Sequence, residues 1–126
     1  MSIAKLFVAA LAGTMTLAQA NADSVANGEL AFHRNCAACH SLEKGQNRIG
    51  PSLSSIHGRK SALAEGYAYS ATLQRLNITW SDATLEPFLS DAQRFAPGSK
   101  MWIKVDDEKA RKDIIEFLKS QSQPSR

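Results

Sequence analysis

Apolar positions recur at helical spacing near both ends of the chain. The first set follows a Ser or Asp cap at Asp23 or Ser24 and predicts a helix up to about Cys36. The second set follows the acidic run at residues 106–108 and predicts a last helix up to Lys119. We expect these two helices to pack together, with Gly28 lying against the ring of Phe117, because a glycine allows another element to approach closely.

The segment between these helices has weaker patterns. Residues 41–64 lack periodicity and contain several Gly and Pro breakers, which indicates a loop. A short helix is predicted around residues 67–76, and another is predicted to end near Ser90. The cap of the latter is Ser81 or Thr84; Pro87 favours Thr84, or else a kink, because a proline in the first turn costs little. The pattern predicts an all-α fold of three to five helices with long loops.

The N-terminus has the features of an export signal. A short basic start precedes an apolar and small-residue run at residues 6–17, followed by two overlapping A-x-A sites. We expect cleavage after Ala20, or alternatively after Ala22, which leaves residues 21–126 as one domain. The apolar run is too short for a spanning helix, so we expect an exported, periplasmic protein without stable membrane insertion.

Charge argues against a nucleic-acid-binding function. The 126-residue chain has a formal net charge of +3, and loss of Lys5 with the signal leaves 14 Lys and Arg residues against 12 Asp and Glu. These charges are spread along the chain, whereas a nucleic-acid-binding protein typically concentrates basic residues in a stripe. The loops also leave only a thin apolar core for a chain of this length, which a large prosthetic group would complete.

The only two cysteines form the motif Cys36-Ala37-Ala38-Cys39-His40, the C-x-x-C-H pattern of covalent haem attachment. Two thiols at this spacing can bond to the vinyl groups of one porphyrin, and the following imidazole can bind its iron. A structural disulfide would close a loop of only two residues and restrict the unfolded chain very little. A thioredoxin-type dithiol requires alternating strands and helices, and a zinc site requires four ligands.

The second axial ligand of the iron is predicted by elimination. Met101 is the only methionine that remains once Met1 and Met15 leave with the signal, and it follows the turn Pro97-Gly98-Ser99-Lys100. A lone methionine is more often core filler than ligand, but this turn favours a ligand. His33 precedes the attachment motif on the same helix, and His57 sits beside a glycine in a loop.

At this point the chain resembles the class I c-type cytochromes, the soluble mitochondrial and bacterial cytochrome c family. The resemblance rests on the attachment motif, on Gly28 and Phe32 before it, and on four later segments. These segments are Gly50-Pro51-Ser52-Leu53, Gly58-Arg59-Lys60 with Gly66-Tyr67-Ala68-Tyr69-Ser70, Ile78-Thr79-Trp80, and Pro97-Gly98-Ser99-Lys100-Met101. It implies the small cytochrome c fold around one covalent haem c.

The resemblance also implies roles for individual residues. His40 and Met101 would bind the iron, and the Pro51 carbonyl would accept a hydrogen bond from His40. The haem propionates would be bound by Arg59, Tyr69 and Trp80, and Ser70 and Ser99 would also contact the cofactor. The chain departs from common family residues at Leu73 (often Asn), Phe88 (often Tyr), Gln93-Arg94 (part of a lysine-rich run) and Ile103 (often Phe).

The expected function is that of a soluble, monomeric one-electron carrier, because two filled axial positions leave no site for substrate. Its partners would be redox proteins with acidic docking surfaces, such as a cytochrome reductase or oxidase of a respiratory chain, or a dehydrogenase. Four lysines are candidates for a basic ring that steers them: Lys44, Lys60, Lys100 and Lys104. The alternatives are a haem peroxidase or gas sensor, which needs an open iron position, and a subunit held in one enzyme complex.

Overall fold

The protein is described by a computed structural model that covers residues 4–122. Five helices follow one another along this part of the chain: α1 (Leu17–Asn35), α2 (Ala71–Leu76), α3 (Asp82–Ser90), α4 (Ala92–Phe95) and α5 (Glu108–Gln121). Within these residues the only extended pairing is an isolated antiparallel bridge between Lys60 and Thr79. The all-α fold of three to five helices with long loops is therefore confirmed.

Helices α1 and α5 pack closely against each other, as the sequence predicts. A Cβ atom at Gly28 would lie 1.9 Å from the carbonyl oxygen of Asp113 and 2.8 Å from Cβ of Phe117. The rings of Phe32 and Phe117 pack at a centroid distance of 5.4 Å beside this contact. The glycine therefore lets the two helix backbones touch, and the aromatic pair fills the space next to them.

Helix α1 begins seven or eight residues earlier than predicted. Thr16 is its N-cap: the Thr16 hydroxyl accepts from the Gln19 N–H, and the Gln19 side chain accepts from the Thr16 N–H, both at 3.3 Å. This capping box lies inside the segment that the sequence predicts to be an export signal. The helix thus runs through both expected cleavage sites, while its first residue, Leu17, is 91% exposed and packs on nothing.

Helix α3 begins at the earlier of its two candidate caps. Ser81 is the N-cap: its carbonyl accepts the first helical bond from Leu85 at 2.8 Å, and its N–H donates to the Thr84 hydroxyl at 2.9 Å. The preference for Thr84 was wrong, and Pro87 lies inside the helix. Burial of Leu85, Phe88 and Leu89 on one face compensates for the hydrogen bond that the proline cannot make.

The remaining connections serve to enclose a central space. Helix α2 is capped by the Ser70 hydroxyl and ends at Asn77 in the left-handed conformation, with φ of 46°. The short helix α4, which has no clear signal in the sequence, is capped by the Asp91 carboxylate. Residues 41–64 form the expected loop. Among the described residues, no helix is long and apolar enough to cross a membrane.

Candidate haem site

A cavity of about 490 Å³ lies at the centre of the molecule, and its lining is largely apolar. Such volumes are typical of sites for sizeable ligands. All ten residues that the sequence assigned to cofactor binding line this one cavity: Cys36, Cys39, His40, Pro51, Arg59, Tyr69, Ser70, Trp80, Ser99 and Met101. The structure therefore brings the whole candidate set together, although its members come from five separate segments of the chain.

The two thiols lie where α1 ends. Cys36 is the C-cap of the helix and donates its N–H to the Phe32 carbonyl at 2.7 Å, and the His40 N–H in turn donates to the Cys36 carbonyl at 3.0 Å. Burial, with a smaller contribution from Cys39, raises the pKa of the Cys36 thiol to about 12. A redox-active dithiol needs a lowered thiol pKa, so the burial of Cys36 argues against thioredoxin-type chemistry.

The His40 ring is held by the loop that follows it. Nδ1 lies 2.8 Å from the Pro51 carbonyl oxygen, which can only accept, so Nδ1 carries the proton and donates. On the other side, a Cβ atom at Gly50 would lie 2.3 Å from Cε1 of the ring. Burial lowers the pKa of His40, with the Pro51 hydrogen bond opposing it. The neutral imidazole therefore presents Nε2 with a free electron pair, as a metal ligand requires.

Met101 is the only one of the three further ligand candidates that lines the cavity. The methionine is partly buried, and its backbone N–H donates to the Ser99 hydroxyl at 3.2 Å. His33 is exposed on α1, with its ring edge-on to Phe32 at 6.0 Å. The His57 ring nitrogen Nε2 pairs with Asp82 at 2.8 Å. Neither histidine reaches the cavity.

One donor of the Arg59 guanidinium lacks an acceptor among the described residues. Its two terminal nitrogens donate to the carbonyl oxygens of Ser54, at 2.8 Å, and Ser52, at 2.9 Å. The buried Nε–H has no partner among the described residues. Burial lowers the pKa of Arg59, with Tyr69 opposing it, but a guanidinium remains protonated in proteins. A buried cation with a free donor favours an anionic group at this place.

The other polar candidates already have protein partners. The Tyr69 hydroxyl accepts from the Ala64 N–H at 3.0 Å. The Ser70 hydroxyl caps α2 by accepting from the Leu73 N–H at 3.2 Å. The hydroxyls of Ser70 and Ser99 therefore have structural tasks, and any contact they make with a cofactor would come in addition.

The lining as a whole fits a covalently attached haem. It combines two thiols, a neutral imidazole, a thioether and a buried guanidinium donor with an apolar wall. The three apolar departures, Leu73, Phe88 and Ile103, all belong to that wall. Several further lining residues were not assigned to cofactor binding from the sequence: Ile49, Leu53, Ile56, Tyr67, Leu85 and Trp102. Leu53 and Tyr67 lie in segments that carry the family resemblance, and nothing distinguishes the other four from ordinary core or loop positions.

Comparisons with known proteins give one consistent family. The protein-family model described as Cytochrome c matches residues 25–122. Cytochrome c of Chlamydomonas reinhardtii is 39% identical over 108 residues, covering 82% of this chain and 95% of that protein. Cytochrome c2 iso-2 of Magnetospirillum molischianum is also 39% identical, over 89 residues, covering 68% and 89%.

Among solved structures, cytochrome cH from Methylobacterium extorquens is 41% identical. It superposes with a TM-score of 0.71, covering 76% of this chain and 97% of that one.

Proposed function

The chain belongs to the cytochrome c family, and on that premise we propose that it is an exported one-electron carrier whose haem iron is bound axially by His40 and Met101. Proteins of this family carry one covalently attached haem c and transfer electrons. The finer assignment rests chiefly on one observation: Met101, the only methionine of residues 21–126, lines the same cavity as His40.

Each residue group would have a distinct task. Cys36 and Cys39 would hold the porphyrin through thioether bonds, which leaves His40 beneath the ring. The Pro51 carbonyl and the Gly50 backbone hold the imidazole and leave Nε2 free, so that it could bind the iron. The unpaired Nε–H of Arg59 would donate a hydrogen bond to a haem propionate, and Tyr69 and Trp80 would lie beside that propionate. The haem would supply the one-electron redox change that no side chain here can make.

The apolar wall would set the redox behaviour. Ligation by a thioether disfavours the ferric state, and burial in an apolar environment disfavours its extra positive charge. Leu73, Phe88 and Ile103 add hydrocarbon side chains to this wall. The same wall would exclude water from the iron, which suits a carrier that gains and loses an electron with little rearrangement.

A protein partner would dock where the cavity reaches the surface. Trp102 and Ile49 line the cavity and are each 78% exposed, so they form an apolar contact area at its edge. Of the four proposed steering lysines, Lys44 and Lys60 are exposed, Lys104 pairs with Asp91 at 3.1 Å, and Lys100 donates to the Ala68 carbonyl. The pairing with Asp91 reduces the contribution of Lys104, so we expect only moderate steering of acidic partners.

The domain boundary and the location form part of the same proposal. We propose that residues 1–20, or 1–22, are removed on export and that the carrier acts in the periplasm. Helix α1 would then begin near Ser24, which still leaves Gly28 and Phe32 to pack on α5. The N-terminal sequence of the purified exported protein tests the boundary: a start at Asn21 or Asp23 supports it, and retention of residues 1–20 contradicts it.

The response to carbon monoxide separates a carrier from a haem enzyme or gas sensor. A reduced protein with both axial positions filled binds carbon monoxide only slowly at neutral pH. Met101→Ala serves as the positive control, because removing the thioether opens one position. Slow binding by the parent and fast binding by Met101→Ala support the carrier. Equally fast binding by both proteins contradicts six-coordinate iron and favours an open site.

A further inference from the structure

The side chain of Gln93 makes three hydrogen bonds to the turn that carries Met101. Its Nε2 donates to the carbonyl oxygens of Ser99 and Met101, each at 2.6 Å. Its Oε1 accepts from the Gly98 N–H at 3.3 Å. One amide side chain thus spans the turn from the residue after Pro97 to Met101 itself.

The chemistry of these three partners fits an amide and nothing else at this position. Two carbonyl oxygens require two donors, and one backbone N–H requires an acceptor, which is the inventory of a glutamine side chain in a single orientation. A lysine at residue 93 could donate to the carbonyls but could not accept from Gly98. A glutamate could accept from Gly98 but, when ionised, would place its charge beside two carbonyl oxygens.

Helix α4, which carries Gln93, is fixed by contacts of its own. Its N-cap Asp91 accepts from the Arg94 N–H at 3.1 Å and pairs with Lys104 beyond the turn. The Ala92 N–H donates to the Ile103 carbonyl at 3.3 Å. These contacts fix α4 in place, and from α4 the Gln93 side chain reaches the turn that carries Met101.

Other contacts to the turn bind its outer parts. The Thr72 hydroxyl donates to the Pro97 carbonyl at 2.5 Å, and Lys100 donates to the Ala68 carbonyl. Among the described residues, the Met101 backbone is hydrogen-bonded only by the Gln93 side chain and the Ser99 hydroxyl. Loss of the Gln93 bonds would leave the Met101 carbonyl free to move while the outer anchors stay in place.

We propose that Gln93 is a positioning residue that holds Met101 in the geometry required for an axial ligand and so opposes its displacement from the iron. This inference rests on the proposed axial role of Met101. Gln93 does not line the cavity, so it would act on the iron only through Met101. It acts by making the open position of the turn energetically unfavourable, because opening would break three hydrogen bonds at once.

The test is displacement of Met101 by imidazole in the oxidised, haem-loaded protein at neutral pH, followed by loss of the far-red sulfur-to-iron absorption band. In this exchange the Met101 sulfur leaves the iron and an imidazole nitrogen takes its place, with no change of oxidation state. We expect Gln93→Leu, which is similar in size, to bind imidazole about tenfold more tightly than the parent. Gln93→Glu should show at least as large an effect, because its carboxylate cannot donate.

Phe117→Leu is the control for a merely structural effect, since it weakens the α1–α5 contact away from the turn. It should lower the denaturant midpoint while leaving imidazole affinity at the parent value. If the parent shows the band but Gln93→Leu binds imidazole as the parent does, the Gln93 inference is overturned and the carrier proposal stands. If the parent lacks the band altogether, the proposed ligation by Met101 fails, and the role of Gln93 fails with it.

Discussion

The backbone of Gly50 lies directly against the imidazole ring of His40, at a distance where a Cβ atom would be 2.3 Å from Cε1. The Gly50 N–H also donates to the Cys39 carbonyl at 2.9 Å, so the loop cannot simply swing away from the ring. Gly50 therefore has no room for a side chain on the side that faces the His40 ring. The hydrogen bond from Nδ1 to the Pro51 carbonyl fixes the rotation of the ring.

Gly50→Ala should accordingly destabilise the haem-loaded protein by about 1–3 kcal/mol, the usual cost of overpacking a close contact. Denaturant unfolding followed by far-UV circular dichroism measures this. Ala83→Ser adds one atom at an exposed position of α3 and should change stability by less than about 0.5 kcal/mol. Equal stabilities of Gly50→Ala and the parent would show that the ring and loop separate freely.

Gly28→Ala tests the contact between α1 and α5. Alanine favours a helix by up to about 1 kcal/mol over glycine, but its Cβ would lie 1.9 Å from the Asp113 carbonyl oxygen. Because that atom belongs to a helix backbone, the helices must move apart, and we expect a net loss of about 2–4 kcal/mol by urea unfolding. Asn27→Ala, exposed on the same helix, should be neutral or slightly stabilising; a stabilising Gly28→Ala would refute the close packing.

Asp113 links acid sensitivity to this same helix pair. Burial raises the pKa of its carboxyl, but hydrogen bonds from Lys109 and Ser24, both at 2.6 Å, and the Lys109 charge outweigh burial and hold the pKa below its usual value of 3.8. A lowered folded-state pKa contributes stability that is present above pH 3.8 and is lost as the pH falls through the folded value.

Asp113→Asn should therefore reduce stability by about 1 kcal/mol at pH 7, since Lys109 is largely exposed and its ion pair is partly screened. The difference from the parent should shrink as the pH falls below 3.8. Unfolding free energies measured from pH 7 to pH 3 test this, with the exposed Asp106→Asn as control. If the difference in unfolding free energy between Asp113→Asn and the parent stays constant across this range, the loss of stability comes from packing and not from the charge of Asp113.

Arg59 should influence the reduction potential as well as stability. A buried cation near the iron disfavours the ferric state, so its removal in Arg59→Met should lower the potential. A cation–iron interaction of about 1 kcal/mol at an effective dielectric constant near 20 corresponds to about 40 mV for one electron. Spectroelectrochemical titration measures the shift, and Lys60→Met, which removes an exposed neighbouring charge, should shift the potential much less. An unchanged or higher potential in Arg59→Met would place the guanidinium away from the haem.

The sequence predicted the two terminal helices because their patterns and their packing depend on the same residues. A glycine at residue 28 indicates the close approach of another element, and α5 supplies it through the Asp113 backbone and the Cβ atom of Phe117. The start of α3 was predicted wrongly because local proline chemistry was weighed without the burial of Leu85 and Phe88, which only the tertiary fold reveals. The start of α1 was missed because the capping box at Thr16 lies within a segment read as a signal.

The candidate site, like the fold, could be predicted only in part from the sequence. The spacing of the attachment motif could single out the cysteines and His40, and Met101 followed by elimination because it is the only methionine of residues 21–126. The cavity wall includes residues such as Ile49, Ile56 and Trp102, whose side chains follow no spacing rule and acquire a role only through the fold. Gln93 was noted only as a departure from a lysine-rich run; its three bonds to the turn depend on the placement of α4, a four-residue helix that no periodicity could predict.

The far-red absorption spectrum of the oxidised protein tests the identity of the second axial ligand most directly. Ligation of ferric iron by the Met101 sulfur predicts a weak far-red sulfur-to-iron band in the parent that is absent from Met101→Ala. A parent spectrum without this band, or a band that survives in Met101→Ala, would contradict ligation of the iron by Met101.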